Sequence, residues 1–180
     1  GEVTVAEDEG PAKAKLDKIA GLKPAFKKDG TITAASSSSI NDGAAALVLT
    51  DAETARSMGK AVNIRATAHA QDFLPMSKRD ILQFEGCTVA WQRALDKAGL
   101  SLNDIKLIES NEAFAAQCIA VADQLGFDND KTNIQGGAIA LGHPIGATGV
   151  VLTTKLIHQL KNAGGGYGLV TACIGGGQGI

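Results

Sequence analysis

What most constrains this chain is where its glycines fall: in loops that follow apolar runs, mainly toward the C-terminal side. Of 22 glycines in 180 residues, Gly136, Gly137, Gly142, Gly146 and Gly149 make one cluster and Gly175, Gly176, Gly177 and Gly179 another. Glycine crowded into apolar sequence serves positive φ or a close approach of backbone to a neighbour. Function is therefore sought in loops. With 44% hydrophobic and 20% charged residues the composition is ordinary globular, which excludes a disordered or fibrous protein. The formal charge of -2 supplies no basic field for nucleic acid, and no apolar run reaches the ~18 residues of a membrane span.

Between these loops the sequence alternates in type. Residues 1–30 are polar, with a weak helix expected over 12–20 and Pro24 closing it. Asp29-Gly30 reads as a tight turn into a short β run at 31–33. The serines of 34–39 precede an unbroken apolar run, 44–50, which predicts a strand buried on both faces. Asp51 is placed to cap a helix over 52–58, ended by Gly59. Residues 62–70 alternate apolar and polar, predicting a strand with His69 on its wetter face. Helices are predicted over 88–98, 112–125 and 149–161, with Ala115, Ile119, Ala122 and Leu125 along one side of the second. Short apolar strands are predicted at 105–108 and 169–173. Strands alternating with helices through short loops define an α/β fold, whose functional groups gather in loops at strand ends. Three such loops stand out: 109–112, 136–149 and 173–179.

Asn111, in the first, is either the N-cap of the following helix or a carboxamide that holds a water or a substrate carbonyl. The second lacks both the Gly-x-Gly-x-x-Gly spacing and the Gly-Lys-Ser/Thr ending of phosphate loops. It carries His143 between Gly142 and Pro144, a candidate general base or hydrogen-bond donor, or else a core histidine with an ordinary partner. In the third, Cys173 precedes three glycines, whose backbone N–H groups are expected to lower its pKa and to cradle a negative oxygen. Cys87 and Cys118 read as small buried thiols in a reducing compartment, and the spacing of the three cysteines offers no zinc site. The residues alone give a Cys/His/Asn constellation for proton transfer or nucleophilic catalysis, with no metal and no phosphate-loop cofactor.

These loops resemble the thiolase family, enzymes that make and cleave 3-oxoacyl-CoA thioesters. Residues 111–115 look like its NEAF block, 136–149 like its GGAIALGHPxGxxG block and 173–179 like its CxGGGxG block. Residues 40–46 and 26–31 are similar to two further blocks, in the family's order. The resemblance implies a layered α-β-α-β-α sandwich, present here as the C-terminal half with the end of the N-terminal half. Residues 1–33 would be the end of a CoA-binding loop insertion, 34–60 the end of the N-terminal half-domain, and 61–180 the C-terminal domain with its last strand cut short. The implied substrates are CoA thioesters, with acyl-CoA bound and no other cofactor, in a cytoplasmic dimer or tetramer. The family's nucleophilic Cys would lie in a missing N-terminal half.

The roles implied by the resemblance are specific. His143 would take the proton of that nucleophile and donate to the thioester oxygen, with Asn111 fixing a water as second donor. Cys173 would remove the Cα proton of acetyl-CoA in condensation, or protonate the CoA thiolate in cleavage. The N–H of Gly175 would hold the tetrahedral oxyanion, Ser38 would contact the pantetheine arm, and Phe114 would line the acyl pocket. The implied reaction is Claisen condensation of two acetyl-CoA to acetoacetyl-CoA and CoA, or the reverse thiolysis, with longer 3-oxoacyl chains as the near neighbour. The alternative is a non-catalytic thiolase-like subunit that binds acyl-CoA or complements another chain. The sequence departs from the family at 35–39, where Ala-Ser-Ser-Ser-Ser replaces Gly-Asn-Ala-Ser-Gly, and at 84–90, where the Gly-x-Gly-Pro-x-x-Ala segment is replaced. With Met76, Ser77, Lys78 and Arg79 before it, the second departure is expected to bear on acyl-chain preference.

Overall fold

The structure, a computed structural model, describes residues 1–59, 62–72, 74–80 and 85–180. The polar N-terminal stretch forms only short elements. Helix α1 spans Glu9–Lys13, and a 3-10 segment follows at Leu16–Gly21, so the helix expected over 12–20 is split at the extended backbone of Ala14. Neither piece buries a residue, and helices this short gain little without packing. The turn at Asp29-Gly30 forms, with Gly30 N–H donating to Lys27 O at 2.8 Å. The β run predicted at 31–33 does not, because Ile32 O is taken by Ala25 N–H at 2.8 Å, across the turn's own base. Residues 34–39 are no linker: Ala34–Ser36 is a 3-10 turn held by a Thr33 capping box.

Residues 44–50 correct the strand prediction. They form no strand and have no ladder partner among the described residues, and Val48 is 94% exposed. An apolar run becomes a buried strand only where another strand offers its free N–H and C=O groups. Helix α2, Ala52–Ser57, starts as expected, with the Asp51 carboxylate accepting from Thr54 N–H at 2.8 Å. Of the alternating stretch 62–70, only the end enters a sheet, as strand β1, Ala70–Gln71. The alternation survives in burial only at its end, where Ala68 and Ala70 are buried and His69 is exposed; Val62 and Ile64 are exposed like their polar neighbours. Side chains of the next helix hold this stretch, Arg93 Nη1 donating to His69 O at 3.3 Å and Lys97 Nζ to Thr67 O at 3.0 Å.

That helix, α3, runs Glu85–Ala98, three residues ahead of the predicted start, and buries Cys87, Ala90, Trp91 and Leu95. Strand β2, Ile105–Ser110, extends two residues past its apolar run because Glu109 and Ser110 continue the ladder. Helix α4 is Ala115–Leu125, not 112–125, and its buried positions are Gln117 and Val121; the side bearing Ile119 (62% exposed) faces out. A four-residue helix, α5, Ala138–Leu141, leads to α6, Thr148–Asn162. Strand β3, Tyr167–Thr171, pairs parallel with β2, Ile108 opposite Leu169 and Ser110 opposite Thr171. Trp91, Leu95, Ile105, Ile108 and Leu169 form the core beneath, with Leu125 and Phe127 against it. Each such side chain stabilises the fold by about 1.5–3 kcal/mol relative to exposure.

The closing strand predicted over 169–173 breaks at Ala172. Strand β4, Cys173–Ile174, instead begins a hairpin with β5, Gln178–Gly179, and β5 also pairs with β1, in the order β1-β5-β4. Helix α3 touches this hairpin backbone to backbone. A Cβ on Gly86 would lie 2.4 Å from Gly177 O, and one on Gly179 would lie 2.4 Å from Cys87 N. Glycine at both positions is what lets the helix approach.

Candidate active site

A parallel strand pair delivers its following loops to one edge, and here that edge collects the three loops singled out in the sequence. Asn111 leaves β2 with its N–H bonded to Thr171 O at 2.9 Å, so it is locked beside the end of β3. It is not an N-cap: α4 begins at Ala115 behind an extended Phe114, with no side-chain cap. Asn111 is 1% exposed, its Nδ2 lies 3.4 Å from His143 Nε2, and its Oδ1 is buried with no hydrogen-bond partner among the described residues.

His143 has the partner that sequence reading missed. Its Nδ1 lies 2.6 Å from Thr148 Oγ1, in the first turn of α6, and that hydroxyl donates to Pro144 O at 2.9 Å. One hydroxyl has one proton. Spent on Pro144 O, it leaves Oγ1 to accept from Nδ1–H, so Nε2 is the bare basic nitrogen, turned to the Asn111 carboxamide. Thr148 was visible as the only hydroxyl one turn beyond His143, where a side chain can return to the carbonyl four residues before it.

Glu112 was also missed as a brace. Its Oε1 accepts from Asn133 Nδ2 at 2.8 Å and its Oε2 from Ile139 N–H at 3.1 Å, tying the 109–112 loop to the 136–149 loop. A Cβ on Gly137 would sit 2.0 Å from the Glu112 carboxyl carbon, so glycine there makes the tie possible. Asn133, at φ 49, acts as a substitute strand: it bonds Ser110 N–H and Ser110 O through its side chain at 2.9 Å each, and Ile108 O through its N–H at 2.9 Å. Beneath the loops, Glu109 is 0% exposed, and such a charge persists only if paired. Lys155 Nζ stands 2.9 Å from it and donates to Gly136 O at 2.6 Å, while Gln159 Nε2 donates to Glu109 Oε1 at 2.8 Å.

Residues 37–43 thread between the first two loops. Ser38 N–H donates to Ala113 O at 3.1 Å and its hydroxyl to the same carbonyl at 3.2 Å, and Ser39 O accepts from His143 N–H at 2.9 Å. A Cβ on Gly142 (φ 91) would meet Asn41 Oδ1 at 2.3 Å. Phe114 meets Phe26 edge-on, ring centroids 6.1 Å apart. Ser38, Phe114, Asn111 and His143 are thus brought together.

Cys173 emerges from the same sheet edge, two residues beyond β3, and Gly175 is exposed at the head of its glycine turn. The expectation for the thiol is overturned. Burial raises the Cys173 pKa above the usual thiol value, and its own backbone N–H opposes this only in part. The glycines that follow it close a hairpin and start no helix. Cys87 is buried as expected and its thiol is pushed up to about 12 by burial. Cys118 is only half-buried, and its thiol is likewise pushed up to about 12. Among the described residues no cluster of His, Cys, Asp and Glu fits a metal ion, and no helix is long and apolar enough to cross a membrane.

A βαβ layer carrying a tautomer-fixed histidine, a buried carboxamide and a strand-end thiol defines an α/β protein with acid–base groups but no phosphate loop. Residues 64–180 match the family described as "Thiolase, C-terminal domain" and residues 1–53 match "Thiolase, N-terminal domain". The chain belongs to the thiolase family, and its α/β fold is the thiolase fold. It is 48% identical, over 96% of its length, to the acetyl-CoA acetyltransferase of Pseudomonas aeruginosa and 47% identical, over 97%, to the 3-ketoacyl-CoA thiolase of Bacillus subtilis. It spans only 43% and 44% of those proteins. The crystal structure of the Bacillus anthracis acetyl-CoA acetyltransferase superposes on 99% of the chain with a TM-score of 0.86 at 42% identity, the chain covering 45% of it. Human mitochondrial 3-ketoacyl-CoA thiolase gives a TM-score of 0.75 at 38% identity, over 93% of this chain and 41% of that one.

Proposed function

We propose that this chain supplies the acid–base half of a thiolase-type acyltransferase site that condenses two acetyl-CoA to acetoacetyl-CoA and CoA, or runs the reverse thiolysis. The observation that carries the reading is the His143 ring, bonded at Nδ1 to Thr148 and open at Nε2 toward Asn111. A nucleophilic thiol from a segment outside this chain gives its proton to Nε2 and attacks the acetyl-CoA carbonyl. The resulting Nε2–H then donates to a thioester oxygen, with the Asn111 carboxamide holding the second donor. Cys173 gives its proton to the departing CoA thiolate, and CoA leaves as the thiol. The Cys173 thiolate so formed removes the Cα proton of the second acetyl-CoA, and the enolate carbon attacks the acetyl-enzyme. The N–H of Gly175 holds the oxyanion, the C–S bond breaks, and the nucleophile takes its proton back from His143. A raised thiol pKa suits this order: Cys173 rests as a proton donor and becomes a strong base only when a leaving group has used its proton.

The same reading takes Ser38 as a pantetheine contact, Phe114 as acyl-pocket wall and CoA thioesters as substrates without another cofactor. It divides the chain at 33 and 60, and it holds a cytoplasmic dimer or tetramer. The test supplies the chain with a thiolase N-terminal segment and assays acetoacetyl-CoA thiolysis. His143→Ala is expected to cut kcat by about 10²–10⁴-fold. Cys173→Ser is expected to remove Cα-proton exchange of acetyl-CoA and to slow the release of CoA in enzyme acetylation, and that exchange should rise with pH in the parent. Robust thiolysis by the 180-residue chain on its own would overturn the reading.

A further inference from the structure

Residues 76–79, which stand before the departure at 84–90, have no role in the site described above. Arg79 gives them one. Its guanidinium reaches the glycine turn, Nη1 donating to Gly176 O at 3.1 Å. Nε donates to Leu74 O at 2.7 Å and Nη2 to Asp72 O at 3.2 Å. The Asp72 carboxylate, itself buried, stands 3.0 Å from Nε, and Asp72 N–H donates to Gly177 O at 2.8 Å. Two successive carbonyls of the turn are therefore pinned on the 72–79 side. Gly177, at φ 84, lies against the guanidinium so closely that a Cβ there would be 2.4 Å from Nη1 and 2.8 Å from Cζ. Glycine at 177 thus does two things: it adopts the left-handed backbone and it lets the guanidinium lie on the turn.

We propose that Arg79 is a positioning residue that clamps the 175–177 turn and so sets the direction of the Gly175 N–H and the placing of Cys173. The proposal rests on the roles given to Gly175 and Cys173 above. A planar fork is needed because three carbonyls and a carboxylate are met at once; a lysine ammonium, a single point of charge, cannot span Leu74 O and Gly176 O. Arg79 touches no reacting atom and acts only through the turn, where a displacement of about 1 Å costs on the order of 10²-fold in rate.

The test uses the chain supplied with its thiolase N-terminal segment, with active sites counted by acetyl-enzyme formation so that misfolded molecules drop out. Per counted site, Arg79→Met is expected to lower kcat and Cα-proton exchange by on the order of 10²-fold, with KM for acyl-CoA changed far less. Arg79→Lys should recover part of this loss. Gly177→Ala should reproduce it, and combining Gly177→Ala with Arg79→Met should add little to either. Unchanged kcat and exchange per counted site in Arg79→Met would overturn the clamp. Cys173→Ala separates the two levels. If it abolishes exchange while Arg79→Met does not, the clamp alone is wrong; if it leaves exchange intact, the reading of Cys173 is wrong whatever Arg79 does.

Discussion

Residues 44–50 and β2 are both apolar runs of strand length, and the molecule treats them oppositely. Ile108 in β2 is buried: it pairs with Leu169 of β3, its O accepts from Asn133 N–H, and its side chain joins the core with Trp91 and Leu95. Val48 in the other run is 94% exposed. Hydrophobicity supplies the drive for burial, but a neighbouring strand or helix supplies the place, and only β2 has one among the described residues. The same contrast runs through the site. Residues 37–43, though polar, are held because they bond two loops of the packed part, and the next seven residues, which are apolar, bond none among the described residues.

The contrast can be tested by paired substitutions. The largest stability effect is expected at the buried ion pair: Lys155→Met strands Glu109 and should cost about 3–5 kcal/mol in urea unfolding. A negligible cost would mean that the packed part is not held as described. Ile108→Ala should cost about 2–5 kcal/mol, from lost transfer energy and the cavity left behind. Alkaline unfolding comes next. Cys87 and Cys118 keep their protons to about pH 12 when folded, whereas an unfolded thiol releases its own near 9.0. The folded state then binds more protons than the unfolded one. Their contribution is present below pH 9.0 and drains away between there and about 12, by on the order of 1 kcal/mol per pH unit for each thiol. Urea midpoints for the parent and Cys87→Ala at two pH values check the slope. The smallest effect is expected from Val48→Ala in this chain, within about 0.5 kcal/mol. A larger loss would show that the run is covered.

Elements whose signals are local were legible in the sequence. Asp51 as a cap and the helix ends at Ala98 and Leu125 depend on a few neighbouring residues and stand where expected, and α6 runs one residue beyond its predicted 149–161 at each end. Two of the three loops, 136–149 and 173–179, were legible because glycine marks close approach before the partner is known. What stayed hidden depends on distant residues. The Arg79 guanidinium on Gly177, the Glu112 carboxylate on Gly137 and the Thr148 hydroxyl under His143 each join positions whose meeting is decided by the fold. The Cys173 thiol was misread for the same reason: the backbone N–H groups after it were visible, but the depth of its burial was not.

The order β1-β5-β4 places in the middle of that small sheet the strand that a ribosome synthesises after both of its neighbours. Until Gln178 and Gly179 emerge, β1 and β4 have no common edge, and the turn that Arg79 grips cannot close. A substitution that broke the pairing of Gln178 and Gly179 would therefore release the flanking strands together and free the cysteine-bearing turn, with the helices intact. Amide hydrogen exchange would report on that vulnerability as a shared loss of protection in β1 and β4.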